Sequence, residues 1–439
     1  MSIQELHTRI VKLEAEIVLQ RELLKNLERD KGLAQRQLNA ALDPMERLPF
    51  EISSDIFVRS LDAFPESGAH HVPMLLLNIC NAWTDIALST PSLWAVVHII
   101  FPCARNLKKI LPIWLERAQN RPLSISLFGG LKVDDDDVLS IIWEHGQQLK
   151  HLEIFKAVDE DEVEGDLEDE DGCIGGPWGN TSPGPLPLLE TLTIRGVFAH
   201  PHGRWGFSLP RIFQLLALAP NLVEFRFPLG ILPRTVYKRI GEALVLPKVC
   251  RLMFGEPGTC PGDGDDIIEA LSLPGLEALS ILSKSESVLG SDTLLSFLKR
   301  SDSPLRELVL GSCLGFDRLL ECLRLLPNLR RFELWYPQYY VLERLLAALA
   351  ESPSLLPYIN TVVIYHREEH IHPPFWTTLS HALIARQTQL RVFRLNVSYR
   401  LSSLTMPAPD IVTTFRELAV DGTRVYISAI CETWNHTFE

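Results

Sequence analysis

Between residues 149 and 395 the apolar pattern Leu-x-x-Leu-x-Leu recurs nine times. The units are Leu149-Leu152-Ile154, Leu189-Leu192-Ile194, Leu222-Phe225-Phe227, Val249-Leu252-Phe254, Leu276-Leu279-Ile281, Leu305-Leu308-Leu310, Leu329-Phe332-Leu334, Ile359-Val362-Ile364 and Leu390-Phe393-Leu395. Successive units start 40, 33, 27, 27, 29, 24, 30 and 31 positions apart. Side chains alternate along a strand, so the last two apolar positions of a unit share one face, while the first fills the turn before it. One such strand cannot bury its face alone, and stacking it on its neighbours creates a continuous apolar layer. Ile212 to Ala219, Thr293 to Lys299, Asp317 to Leu326 and Leu342 to Ala350 have helical apolar spacing and are expected to form an outer layer. Pro187, Pro220, Pro274, Pro304 and Pro327 stand just before a first Leu, where proline ends a helix and re-aims the chain.

The unit resembles the leucine-rich repeat, whose period is about 20 to 29 residues. The asparagine that follows the third Leu in that family is absent from most units. Residues 149–430 are therefore expected to be an α/β solenoid with degenerate repeats. Residues 158–187 interrupt it: Asp159 to Asp171 hold ten carboxylates and no base, and a Gly/Pro-rich stretch follows. Self-repulsion and low apolar content predict a disordered surface insertion there.

The first 42 residues carry a different period. Leu6, Ile10, Leu13, Ile17, Gln20, Leu24, Leu27, Lys31, Ala34 and Leu38 are spaced alternately four and three apart, a heptad seam that Gly32 weakens in its last third. Two readings stay open: a coiled coil that makes the chain a homodimer through residues 1–42, or an amphipathic helix packed on its own domain.

Asp43-Pro44 ends that helix or caps the next. Residues 43–95 then read as small helices broken by Pro49, Pro65, Pro73 and Pro91. Met45-Glu-Arg-Leu-Pro-Phe-Glu-Ile-Ser-Ser-Asp-Ile-Phe57 resembles the opening of an F-box. Leu75-Leu76-Leu77-Asn-Ile79-Cys80-Asn-Ala-Trp83-Thr-Asp-Ile86-Ala87 resembles its second half, and Ser89-Thr-Pro91-Ser-Leu93-Trp94 its exit, especially in fungal members. The stretch from Phe64 to Pro73 is longer than the compact loop of many F-boxes. The resemblance implies docking on the Skp adaptor, and through it on a cullin, by Leu48, Pro49, Ile52, Ile56 and Trp83. Leu76, Ile79 and Ile86 are expected to be core. Residues 96–148 would link this module to the solenoid and supply its first units.

Ten of the thirteen excess negative charges sit in the acidic insertion, and no basic stripe suits a nucleic acid. Eight cysteines are scattered without a Cys-x-x-Cys pair, which fits a reducing compartment, cytoplasmic or nuclear. No run is apolar enough to span a bilayer, so no membrane is expected as a partner, and Asn180, Asn396 and Asn435 read as chance glycosylation triplets. His366-Arg-Glu-Glu-His370 has the spacing of one class of zinc peptidases, but a β-rich run precedes it and Pro373-Pro374 follows. The carboxylates at Asp134 to Asp137 and Gly262 to Asp266 lack calcium-loop spacing. No cofactor, metal or catalytic residue is expected. The sequence reads as a non-catalytic substrate receptor of an SCF-type ubiquitin ligase that holds an unknown protein target on the concave strand face of the repeats. An interaction scaffold without a role in degradation is the alternative, and a zinc-dependent hydrolase a remote one.

Overall fold

The computed structural model describes residues 3–43, 45, 48–61, 72–101, 107–129, 136–156, 183–196, 209–227, 243–255, 265–282, 291–311, 314–367, 371–398, 407–430 and 435–438. The chain divides into two compact units, residues 1–98 with 106–126 and residues 99–105 with 127–439. The stretch 96–148 is thus shared between them, with the division passing through β1 (Val96–Phe101) and β2 (Leu123–Gly129).

The first unit contains α1 (Ile3–Leu42), α2 (Phe50–Arg59), α3 (Val72–Leu76), α4 (Asn81–Leu88) and α5 (Leu107–Arg117). Pro49, extended at φ −55° and ψ 145°, opens α2, whose inward face is Ser53 and Phe57, one turn apart. The core centres on Trp94, which is fully buried; its indole N–H donates to the Ala87 carbonyl at 2.8 Å, and the Trp114 indole donates to the Trp94 carbonyl at 3.0 Å. The two rings meet edge to face with centroids 5.0 Å apart, a favoured aromatic geometry. Leu76 is buried as expected. Ile79 and Ile86 are only half-buried, and the small residues Cys80 and Ala87 occupy the core in their place. Ile79 lies in the turn between α3 and α4, and its carbonyl accepts a 2.9 Å bond from Asn39 Nδ2 at the end of α1.

In the second unit the sheet follows the chain: β3 (Leu149–Lys156), β4 (Thr191–Gly196), β5 (Glu224–Phe227), β7 (Arg251–Phe254), β9 (Ala278–Ile281), β10 (Glu307–Leu310), β11 (Arg331–Trp335), β12 (Thr361–His366), β13 (Val392–Ser398) and β14 (Arg424–Ile430). All these pairs are parallel, and β15 (Asn435–Phe438) adds an antiparallel edge. The nine predicted units coincide with β3 to β5, β7 and β9 to β13, and every one of their anchor residues is at most 5% exposed. The pairing is in register with the pattern: Phe225 aligns with Leu252, Leu252 with Leu279, Leu279 with Leu308 and Leu308 with Phe332.

The residue after each first anchor carries the stack from unit to unit. Val223 N–H donates to the Glu190 carbonyl, Cys250 to Val223, Glu277 to Cys250, Arg306 to Glu277, Arg330 to Arg306, Asn360 to Arg330 and Arg391 to Asn360, all at 2.8–2.9 Å. Adjacent units approach so closely that at Gly255, with φ +75°, a Cβ would lie 1.8 Å from the Leu282 carbonyl oxygen. Only glycine fits there.

The expected outer helices are present as α7 (Leu209–Leu218), α9 (Ser291–Ser301), α10 (Phe316–Arg324) and α11 (Tyr339–Glu351), joined by α6 (Asp136–Glu144), α8 (Asp265–Glu269), α12 (Pro373–Arg386) and α13 (Pro409–Val420). Consecutive helices from α8 to α13 pack on one another. Two arginines fasten the ends of these helices. Arg300, near the end of α9, donates to the Ile268 and Leu271 carbonyls at 2.7 and 2.9 Å. Arg386, the last residue of α12 and 3% exposed, donates to the carbonyls of Leu349 at 2.8 Å, Ser352 at 2.5 Å and Pro353 at 3.3 Å. The last carbonyls of a helix have no partner within it, so each guanidinium serves as a cap reaching back from the next repeat.

Three expectations change. A tenth parallel strand, β14, follows the nine units; register sets Val425 and Ile427 against the anchors Phe393 and Leu395, and the buried residue before them is Thr423 rather than a Leu. A separate two-stranded parallel sheet, β6 (Leu244–Val245) with β8 (Leu271–Ser272), has no counterpart in the pattern. Most of the acidic insertion lies outside the described residues, but its last five belong to the fold: Leu186 is fully buried, its N–H donates to the Leu218 carbonyl at 2.9 Å, and Asn221 Nδ2 donates to the Pro187 carbonyl at 2.7 Å.

Replacing Arg386 by alanine leaves several buried carbonyls without a donor. A loss of about 3 kcal/mol is expected, read as a lower urea midpoint for the second unit, and Arg386→Lys should recover only part because an ammonium cannot fork across three acceptors.

Candidate functional site

Two surfaces have the composition of docking sites, one on each unit. On the first unit α2 is apolar on both sides. Ser53 and Phe57 turn inward, while Ile52 and Ile56, also one turn apart, remain 50% and 44% exposed. Leu48 and Pro49 are exposed just before the helix, and so is Phe50, which sequence reasoning did not single out. Arg59 and Asp55 pair at 2.7 Å on the same helix. Leu48, Pro49 and the pair Ile52 and Ile56 are apolar residues left partly open to solvent, the composition expected of a partner surface, while Phe50, seven positions before the inward Phe57, stands on another side of the helix.

Trp83, grouped with these residues by its motif, has a different environment. Its ring packs at 4.8 Å from Phe57 on the inward side of α2, and its indole N–H donates to Asp43 Oδ2 at 2.6 Å. Asp43 also accepts from the Met45 backbone N–H at 2.9 Å and from the Cys80 thiol at 3.5 Å. One carboxylate at the end of α1 thus ties the next turn and α4 together. Burial, with the Asp43 carboxylate adding, raises the Cys80 pKa above its ordinary value.

On the second unit the side chains between the anchors form the other sheet face. Over β3 to β5 this face is marked by paired charges, Arg195 with Glu153 at 3.5 Å and Arg226 with Glu224 at 2.6 Å. From β11 to β14 it becomes aromatic. Register aligns Trp335 with Tyr365, Asn396 and Ser428 in one row, and Glu333 with Val363, Arg394 and Tyr426 in the next. Trp335 and Tyr365 stack at 3.8 Å with an interplanar angle of 20°. Glu333 fixes this pair: nearly buried, it accepts from the Trp335 indole at 2.7 Å and from Arg331 at 2.8 Å. Arg394 lies 5.1 Å over the Tyr426 ring. Burial and the nearby Glu333 charge raise the Tyr365 pKa above its ordinary value, so its hydroxyl stays a donor at neutral pH. Half-exposed Trp and Tyr with Arg beside them are the residue types that dominate binding energy at protein interfaces. The signal for this cluster was available as the positions between and just after the anchors, but its members lie about thirty residues apart in sequence and only register assembles them.

Of the zinc-peptidase pentad, His366 is the buried last residue of β12, while Glu368 to His370 lie outside the described residues. Paired imidazoles at that spacing need a helix, and His366 is on a strand. Among the described residues no group of His, Cys, Asp and Glu side chains could hold a metal. Cys80, Cys250 and Cys322 are free; desolvation, with Glu321 adding, pushes the Cys322 thiol up to about 11, which keeps it protonated at neutral pH. No described helix is long and apolar enough to cross a membrane.

No protein-family model matches the chain, and no curated protein does. Among solved structures it is similar to one described as "Crystal structure of TLR13-ssRNA13 complex", with a TM-score of 0.30 and 10% identity over 63% of this chain and 35% of that one. The chain spans about a third of the length of that neighbour, and at this score the likeness carries no argument. The repeat architecture, a mixed α/β stack of the leucine-rich-repeat kind behind a long N-terminal helix, rests on the strand order and register above.

Asp43→Ala is expected to destabilise the first unit by about 1–3 kcal/mol, since the Trp83 indole loses its acceptor. Asp43→Asn, which keeps a carbonyl oxygen, should lose less; thermal unfolding of the purified chain measures both.

Proposed function

We propose that the chain is the substrate-recognition subunit of an SCF-type ubiquitin ligase. The first unit would dock on the Skp adaptor, and through it on a cullin, and the second would hold a protein target. The observation that carries this reading is the outward face of α2: Leu48, Pro49, Ile52 and Ile56, the residues the F-box resemblance assigns to adaptor contact, are exposed together on a helical module whose core is already closed by Phe57 and Trp94. Trp83 enters the proposal as the residue that braces α2 from behind, by its contact with Phe57. The chain would contribute no chemistry of its own. It would act by proximity, holding a target lysine near the charged ubiquitin carrier. The aromatic end of the sheet, Trp335, Tyr365, Arg394 and Tyr426, is the surface proposed for the target, and the cytoplasm or nucleus the compartment.

The test is direct binding of the purified chain to a purified Skp adaptor. A 1:1 complex is expected, and Pro49→Ala combined with Ile52→Ala should weaken it by about tenfold or more, since interface anchors cost over about 1 kcal/mol each on truncation. Absence of a stable complex, or a double variant that binds as well as the parent, would reduce the chain to an interaction scaffold that recruits nothing for degradation. Trp335→Ala should leave the adaptor complex intact while removing target-dependent ubiquitylation, and loss of both together would show that Trp335 serves the fold instead.

A further inference from the structure

We infer that α1 is one strand of a parallel two-stranded coiled coil and that its partner is a second copy of this chain. The inference is independent of the adaptor reading. Among the described side chains of Ile3–Leu42 only Arg36, Asn39 and Ala40 are even partly covered; Arg36 and Asn39 bond Asn78 and the Ile79 carbonyl at 3.2 and 2.9 Å. The described side chains of residues 3–35 have no such cover. A single helix packed on its own domain is therefore excluded for this segment, and the helix runs unbroken through Gly32. It leaves fourteen large apolar side chains exposed, and in proteins most of a helix's stability comes from packing its apolar face.

What should cover it is written in the heptads. Counting Ile10 as position a, the a sites are Ile3, Ile10, Ile17, Leu24, Lys31 and Leu38, and the d sites are Leu6, Leu13, Gln20, Leu27, Ala34 and Ala41. Isoleucine at a with leucine at d is the combination that favours two parallel strands. The groove lined by Leu13, Glu16, Ile17, Gln20, Arg21 and Leu24 consists of two consecutive four-residue holes, the receptacles for an a and a d knob of a partner.

Charge selects a like partner. In a parallel pair each g residue faces the e residue five positions on in the other helix, so Arg9 meets Glu14 and Glu16 meets Arg21, twice each by symmetry; the remaining pairs, Leu23 with Glu28, Asp30 with Gln35 and Gln37 with Leu42, carry no like charges. The polar core positions fix direction. In parallel register Gln20 faces Gln20 of the second copy, and the amides can bond each other, while the Lys31 stems run past one another with their ammonium groups in water. An antiparallel pair in the register of greatest overlap sets Gln20 against Leu24 and Lys31 against Leu13, leaving polar groups opposed to apolar ones.

Sedimentation equilibrium of the full chain at micromolar concentration should give about twice its 49.6 kDa. Ile17→Lys should return the mass to one copy. Ile17 is half exposed in the single chain, so circular dichroism of the rest and the melting of the second unit should not change. Leu13→Cys should form a disulfide between the two copies under mild oxidation, recovered as a cross-linked pair of identical peptides joined at the substituted position. A chain that stays single at tens of micromolar overturns the inference, as does a dimer that Ile17→Lys leaves intact, a trimer or tetramer, or cross-linking of Leu13→Cys only to Leu24→Cys in a mixed sample.

Discussion

Everything in the second unit depends on a strand being unable to hide its own apolar face. Each of the nine units offers two anchors on one side of a four- to eight-residue strand, and only the strand of the next unit can continue the layer. The bonds from Val223 to Glu190, Cys250 to Val223 and onward hold that succession in register. A slip of one residue would send every anchor to the opposite face. Register therefore does more than close the core: it also decides which side chains meet on the open face. Trp335 and Tyr365 stack because Leu334 and Ile364 are paired beneath them.

The stack was legible in the sequence wherever its signal was leucine. All nine units lie on strands because a buried anchor tolerates little but a large apolar residue, and that demand recurs at a fixed offset. Where the demand is met otherwise, reading fails. Before β14 the buried place is taken by Thr423, 0% exposed and held by its hydroxyl bonding the Leu390 carbonyl at 2.8 Å. Leu186 was submerged in a polar stretch although its side chain is fully buried. The helix ends are tied by Arg300 and Arg386, which no local motif announces.

The candidate sites divide in the same way. Leu48, Pro49, Ile52 and Ile56 lie within one short motif, and Ile52 and Ile56 share one side of α2. Trp83 was readable as important but not in its place: its partner Asp43 is forty residues away, and a half-buried tryptophan with a satisfied N–H belongs to the support of a surface more than to the surface. The Trp335 cluster is a product of fold alone, made of residues from four strands that sequence proximity never joins.

The outward face of α2 also shows why a motif is broader than its invariant letters. Ile52 and Ile56 already have about half of their surface covered, so burying the remainder on a partner yields roughly 1 kcal/mol apiece. Association must first offset several kcal/mol of lost translational and rotational freedom. Two isoleucines cannot do that, and the surface must draw on Leu48 and Pro49 as well. Because Pro49 fixes the entry into α2, the isoleucine pair is presented by a rigid element rather than by a loop that would have to be ordered on binding.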